Sequence, residues 1–158
     1  MALALGEAGR LWQAGDAMFT QREICRVIIE GGGEYFFIVK DNQPGLKADI
    51  ASAFGPDSPL SGMVPPPDLK QAETLDNGHG RIETRRLEAT ASIIEHLAPS
   101  WTGLAQVCRL TRRRIVRGKG NLETVYAITS LTAAKAGPER LLALSREHWG
   151  TGYTTCAT

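Results

Sequence analysis

Apolar positions open with a short run over residues 11 to 16 (Leu-Trp-Gln-Ala-Gly-Asp), which reads as a strand ending on an acid. Thr20, with Glu23 three residues later, has the form of a capping box. Ile24, Val27 and Ile28 follow at helical spacing with Cys25 beside them. Gly31-Gly32-Gly33 stops that helix. Tyr35 to Val39 is a continuous aromatic, apolar and β-branched run, the pattern of a strand covered on both faces. The opening unit is therefore strand, helix, strand, as in an α/β crossover.

Asp41 or Asn42 can cap the next helix, with Pro44 near its first position and Leu46, Ile50 and Phe54 on one face. Composition then shifts: residues 55 to 67 hold five prolines, including Pro65-Pro66-Pro67, and mark the best candidate boundary. From about residue 70 the pattern is β. Asp76-Asn77-Gly78 is a turn signal ahead of a strand over 80 to 87, and a short helix fits Ser92 to Leu97. Gln106 to Val116 and Glu123 to Leu131 flank Arg117-Gly118-Lys119-Gly120-Asn121 as an antiparallel hairpin. A last helix starts at Pro138, presents Leu141, Leu142 and Leu144, and runs to Trp149.

The fold class expected is α/β, in a mixed α+β arrangement. Its divisions are an opening core at 10–58, a proline-rich linker at 59–69, a β-rich unit at 70–131, a final helix at 132–150 and an unpatterned tail at 151–158.

At 158 residues the chain is long enough to bury a core. With 42% hydrophobic and 22% charged residues it reads as a soluble globular protein. No apolar run approaches the ~18 residues of a membrane span, and no secretory signal opens the chain. Cys25, Cys108 and Cys156 are scattered, which suggests neither a zinc site nor a disulfide framework and fits a reducing cytoplasm. The net charge of +1 gives no global attraction to nucleic acid, so any such signal must be local.

Three places could carry chemistry. Asp16, at a strand end, is placed to hold a divalent metal or to cap the following turn. His79, Arg81, Glu83 and Arg85, spaced by two, would line one strand face. That face could bind a phosphate backbone, or it could be a solvated face laced with cross-strand ion pairs. Arg109, Arg112, Arg113, Arg114, Arg117 and Lys119 crowd one hairpin. Alternation sends Arg109 and Arg113 to one face and Arg112 and Arg114 to the other, while Arg113, Arg114, Arg117 and Lys119 near the turn suit salt-dependent DNA binding. The glycine clusters lack a phosphate loop's spacing and following helix. No serine sits in a nucleophile elbow, and His79, His96 and His148 have no metal spacing.

Five segments taken in order carry a resemblance. They are Gly15-Asp16-Ala17-Met18-Phe19-Thr20-Gln21, Ile38-Val39-Lys40-Asp41-Asn42-Gln43-Pro44, Asn77-Gly78-His79-Gly80-Arg81-Ile82-Glu83-Thr84-Arg85, Tyr126-Ala127-Ile128-Thr129-Ser130-Leu131 and Arg146-Glu147-His148-Trp149-Gly150. Over residues 11 to 150 the chain resembles the DDE transposases of bacterial insertion sequences known as H-repeat-associated proteins. The resemblance implies a partial RNase H-like catalytic core with a mostly antiparallel β insertion. It also implies phosphoryl transfer on DNA with Mg²⁺ or Mn²⁺ held by three acids.

Asp16 matches the family's second acid and metal ligand, and Lys40, Asn42 and Gln43 match active-site neighbours. His79, Arg81, Glu83 and Arg85 match the polar strand of the insertion, where DNA contact is expected through His79, Arg81 and Arg85. The family's first acid has no counterpart here. The third belongs to His-Trp-x-Ile-Glu-Asn, and Thr151 and Gly152 stand where its Ile and Glu should be. One carboxylate cannot fix two cations, so the expectation is a transposase fragment that does not cleave or join DNA alone. Its expected partners are DNA element ends and a full-length transposase. A non-catalytic DNA-binding module that inhibits the full-length enzyme, and a pseudogene product that folds poorly, are the alternatives.

Overall fold

The structure is a computed structural model that describes residues 2–5, 11–15, 21–41, 43–54 and 67–149, with side chains described for residues 21–146 of those segments. Strands β1 (Ala2–Leu5), β2 (Leu11–Gly15) and β3 (Glu34–Val39) come first, with helix α1 (Arg22–Glu30) between β2 and β3. Helix α2 (Pro44–Phe54), strands β4 (Lys70–Gly78) and β5 (Arg81–Thr90), and the single turn α3 (Ile94–Leu97) follow. Strands β6 (Gln106–Val116) and β7 (Lys119–Thr129) and helix α4 (Pro138–Trp149) complete the order. The protein thus mixes helices with a largely antiparallel sheet, an α+β arrangement.

All seven strands join one sheet in the order β1-β2-β3-β7-β6-β5-β4. β2 and β3 are parallel, as a crossover through α1 requires, and the five strands from β3 to β4 are antiparallel to their neighbours. β7 returns beside β3, so residues expected in the opening core and in the β-rich unit share hydrogen bonds. Ser130 Oγ fixes this junction by accepting from Tyr35 N at 2.7 Å and donating to Glu34 at 2.6 Å, while Thr129 Oγ1 donates to the Tyr35 carbonyl at 2.8 Å.

The sheet is sandwiched. One face packs Phe36, Ile38, Leu87, Leu110 and Val125 under Leu141, Leu142 and Leu144 of α4. The other packs Tyr35, Phe37, Val39, Val107 and Ile128 under Cys25 of α1, Leu46, Ile50 and Phe54 of α2, and Trp101 and Leu104 of the loop after α3. Each leucine or phenylalanine so buried contributes about 1.5–3 kcal/mol. β3 is buried along its whole length because it has a strand on each side and helices above and below. Burial raises the Cys25 and Cys108 thiols to about 12; both are free, and both sit inside as inert apolar groups.

Local signals were read correctly in kind and shifted in place. α1 begins one residue late: its N-cap is Gln21, without a side-chain cap bond, and Glu23 is drawn instead to Arg26. Thr20 lies outside the described residues. The turn expected at Asp76-Asn77-Gly78 falls two residues on. β4 runs through Gly78, which pairs with Arg81 around His79-Gly80. The second hairpin is also tighter than expected, turning on Arg117-Gly118 alone, with β7 resuming at Lys119. Among the described residues, no helix is long and apolar enough to cross a membrane.

Candidate nucleic-acid interface

Two hairpins, β4–β5 and β6–β7, end at the same edge of the sheet because β5 and β6 are antiparallel neighbours. Both turns have the same build. His79 (φ 55°) and Gly80 (φ 73°) make one, and Arg117 (φ 51°) and Gly118 (φ 77°) make the other. Two consecutive left-handed residues are the signature of type I′ turns, whose twist matches that of the flanking strands. Glycine fills the second position of each without strain. The first is occupied by a cationic or protonatable side chain, at some cost in backbone energy. Adjacent strands lie about 4.8 Å apart, so turns centred two strands apart lie roughly 10 Å from each other.

Below the tips the ladder register sorts the cations. Directly opposed residues share a face. Arg81 pairs with Val116 and Val116 with Lys119; Glu83 pairs with Arg114; Arg85 pairs with Arg112, and Arg112 with Glu123. Arg81, Arg85, Arg112, Arg114 and Lys119 therefore share the α4 face, just beyond its apolar part. Arg146 of α4 reaches the same area and meets Asp76 at 3.3 Å. Arg113 lies on the opposite face, as alternation predicts. His79 belongs to the turn, so it does not extend the face formed by Arg81, Glu83 and Arg85. Arg112, one of the hairpin's run of cations, joins this face, and Arg146 is an addition to it. Alternation from Arg114 points to Arg112, whereas only the packing of α4 brings in Arg146.

Glu83 is the hub. Its side chain is 5% exposed; Arg85 Nη2 lies 2.7 Å from Oε1, Arg114 3.7 Å and Arg81 3.8 Å from Oε2. Burial pushes this carboxyl up, but the Arg85 hydrogen bond and the Arg85, Arg114 and Arg112 charges outweigh it and hold the group below the usual glutamate range. Arg85 is itself only 11% exposed, so it braces Glu83 and presents no free head to solvent. Arg81, Lys119, His79 and Arg117 are exposed. Arg112 is engaged by Glu123 at 2.6 Å. Cations exceed carboxylates on this face, and the surplus is greatest at the tips.

The other expected site is only partly visible. Asp16 and Asn42 lie outside the described residues. Asp16 follows β2, whose last residue, Gly15, pairs with Phe37 of parallel β3. Lys40, exposed, follows β3, and its carbonyl accepts from Gln43 N at 3.1 Å. Asp41 is held by Lys47 at 2.9 Å. Among the described residues, no three His, Cys, Asp or Glu side chains gather where they could hold a metal ion.

No family model matches the sequence, and no solved structure matches it. The chain is 33% identical over 120 residues to an uncharacterized protein from the dhlA 3′ region of Xanthobacter autotrophicus, a match covering 75% of this chain and 38% of that protein. It is 28% identical over 138 residues to protein YbfL of Escherichia coli (strain K12), a match covering 85% of this chain and 35% of that protein. The chain thus spans little more than a third of the length of these two curated relatives.

Proposed function

We propose that this chain is a segment of a bacterial insertion-sequence transposase of the DDE type, and that its own activity is DNA docking through the paired hairpin tips. In this reading β2, α1 and β3 are the part of an RNase H-like core that the segment carries, Asp16 is the one acid of the catalytic set, and the β4–β7 hairpins are the insertion. Strand cleavage by the segment alone is not expected, since two cations need more than one fixed carboxylate. DNA ends and a full-length transposase, loaded with Mg²⁺ or Mn²⁺, are its proposed partners.

The observation that carries the docking reading is the convergence of His79, Arg81, Arg117 and Lys119, distant in sequence, at one end of the sheet. Arg114 supports them from one rung below, and Arg85 braces Glu83. Arg113, on the opposite face, is left out of this surface.

Fluorescence anisotropy of a labelled 30-bp duplex across a salt series tests it. Binding should weaken steeply with salt, and Arg117→Ala and Lys119→Ala should each flatten the log–log slope by about 0.9, the loss of one phosphate contact. Absence of binding, or binding without a salt slope, refutes the docking surface. Mg²⁺-dependent nicking that Asp16→Ala abolishes would refute the catalytic incompleteness.

A further inference from the structure

The face opposite α4 is covered only in part. α2 ends at Phe54, whose ring lies 5.2 Å from the Arg109 guanidinium, and beyond that rung no described residue covers the sheet. There a cleft of about 420 Å³ opens, lined by Glu73, Thr84, Arg86, Thr111, Arg113 and Leu122. Thr111 is 8% exposed, and its Oγ1 has no hydrogen-bond partner among the described residues. Such a hydroxyl costs free energy unless something satisfies it. Arg113 stands exposed over the cleft and makes no ion pair among the described residues. Around these polar groups the same face carries exposed aliphatic side chains: Leu75 at 67%, Leu122 at 61%, and Ile82. Leu75 and Arg113 both flank Thr84 in the ladder, and Leu122 pairs with Arg113, so one rung sets two polar residues between two leucines.

We propose that this cleft docks a protein segment presenting a carboxylate between aliphatic side chains. The carboxylate would meet Arg113 as a charge-assisted, two-point acceptor, with the Thr84 and Thr111 hydroxyls beside it. The aliphatic neighbours would cover Leu75, Ile82 and Leu122, which water now wets. A phosphate backbone fits less well, because it has no aliphatic surface to offer Leu75, Ile82 and Leu122. The inference stands apart from the transposase reading, because it uses the other face of the sheet and none of the hairpin-tip cations.

The test is an NMR titration of the whole chain with a synthetic twelve-residue peptide that has one glutamate among leucines and alanines. Its glutamine analogue and a 20-bp duplex serve as comparison ligands. Peptide shifts should cluster at Thr84, Thr111, Arg113 and Leu122. The glutamine analogue, and the Arg113→Ala and Leu122→Ser variants, should each weaken binding at least tenfold. Both substitutions fall on exposed side chains, and an unchanged thermal melt verifies the fold. DNA anisotropy of Arg113→Ala should keep its salt slope. The proposal is overturned if the peptide causes no shifts, if shifts fall elsewhere, if the glutamine analogue binds equally, or if the duplex occupies these amides and displaces the peptide.

Discussion

Glu83→Gln separates what the ion cluster does for the fold from what it does for binding. The substitution keeps the side chain's size and one oxygen for Arg85, whose Nε now donates to Oε1 at 2.8 Å with Nη2 2.7 Å from the same oxygen. It removes the charge that neutralises a nearly buried guanidinium. Breaking a buried pair by removing one partner costs about 3–5 kcal/mol. A neutral acceptor remains and Arg85 has a little solvent, so the lower end, about 3 kcal/mol, is expected. At about 2–4 °C per kcal/mol for a chain of this size, the melting temperature should fall by roughly 6–12 °C. The carboxyl sits below its ordinary value near 4.5, so the native state binds fewer protons than the unfolded chain. The stabilisation is therefore complete above the ordinary glutamate range and is lost as pH falls through the depressed native value. The gap between wild type and variant, followed by urea denaturation at a series of pH values, should close in acid. DNA affinity should move the other way. Arg81 and Arg114 lose a competing anion, so binding should tighten and its salt slope steepen. A destabilised variant with unchanged or weaker DNA binding would refute the assignment of this face to DNA. An equally stable variant would refute the role of Glu83 as counter-charge to Arg85.

Other outcomes follow from the same geometry. On the far face Glu88 and Arg109 form a bidentate pair at 2.9 and 3.0 Å, with both side chains buried. Arg109→Leu should cost about 3–5 kcal/mol in urea unfolding, and Glu88→Leu/Arg109→Leu less than the sum of the single changes. Arg117→Gly should raise stability by about 1 kcal/mol by relieving a left-handed arginine, while weakening duplex binding in the anisotropy assay. Gly103→Ala should cost about 2 kcal/mol in the same denaturation, since Gly103 has φ +73° and an added Cβ would fall 2.6 Å from the Ile29 side chain.

What the sequence disclosed depended on whether the signal was local. α2 and α4 stand where apolar spacing and prolines put them, because each starts on its own proline and buries one face, and β6 fills the stretch read as a strand, buried on both faces over its first half. The β4–β5 turn was displaced because Asn77-Gly78 and His79-Gly80 are both fit for left-handed turns, and only the pairing register chooses between them. Alternation separated Arg113 from Arg112 and Arg114, but it could not say that α4 would lean over Arg85. Glu88 and Arg109 are charged yet buried, since a loop carrying Trp101 and Leu104, without any periodicity of its own, joins α2 in covering that face. The β3–β7 junction links residues about ninety positions apart, and no local pattern encodes it.

The two buried ion pairs have a common logic that bears on where binding can occur. Each sits at the margin of helical cover: Glu83–Arg85 beyond the apolar face of α4, and Glu88–Arg109 at the last turn of α2, where Phe54 packs on the guanidinium. An arginine suits such a margin because its stem extends the apolar layer while its head finishes on a carboxylate. Past each pair the strands continue for several rungs with little over them among the described residues. Those rungs cannot be stabilised by core burial; the ladder and the type I′ turns hold them. Freed from packing, they can carry charges that a covered rung would exclude, cations on one face and an arginine among leucines on the other. Functional surface is therefore expected on the uncovered end of the sheet, above all at the hairpin tips, where His79 and Arg117 occupy left-handed turn positions that asparagine or glycine would fill at lower cost.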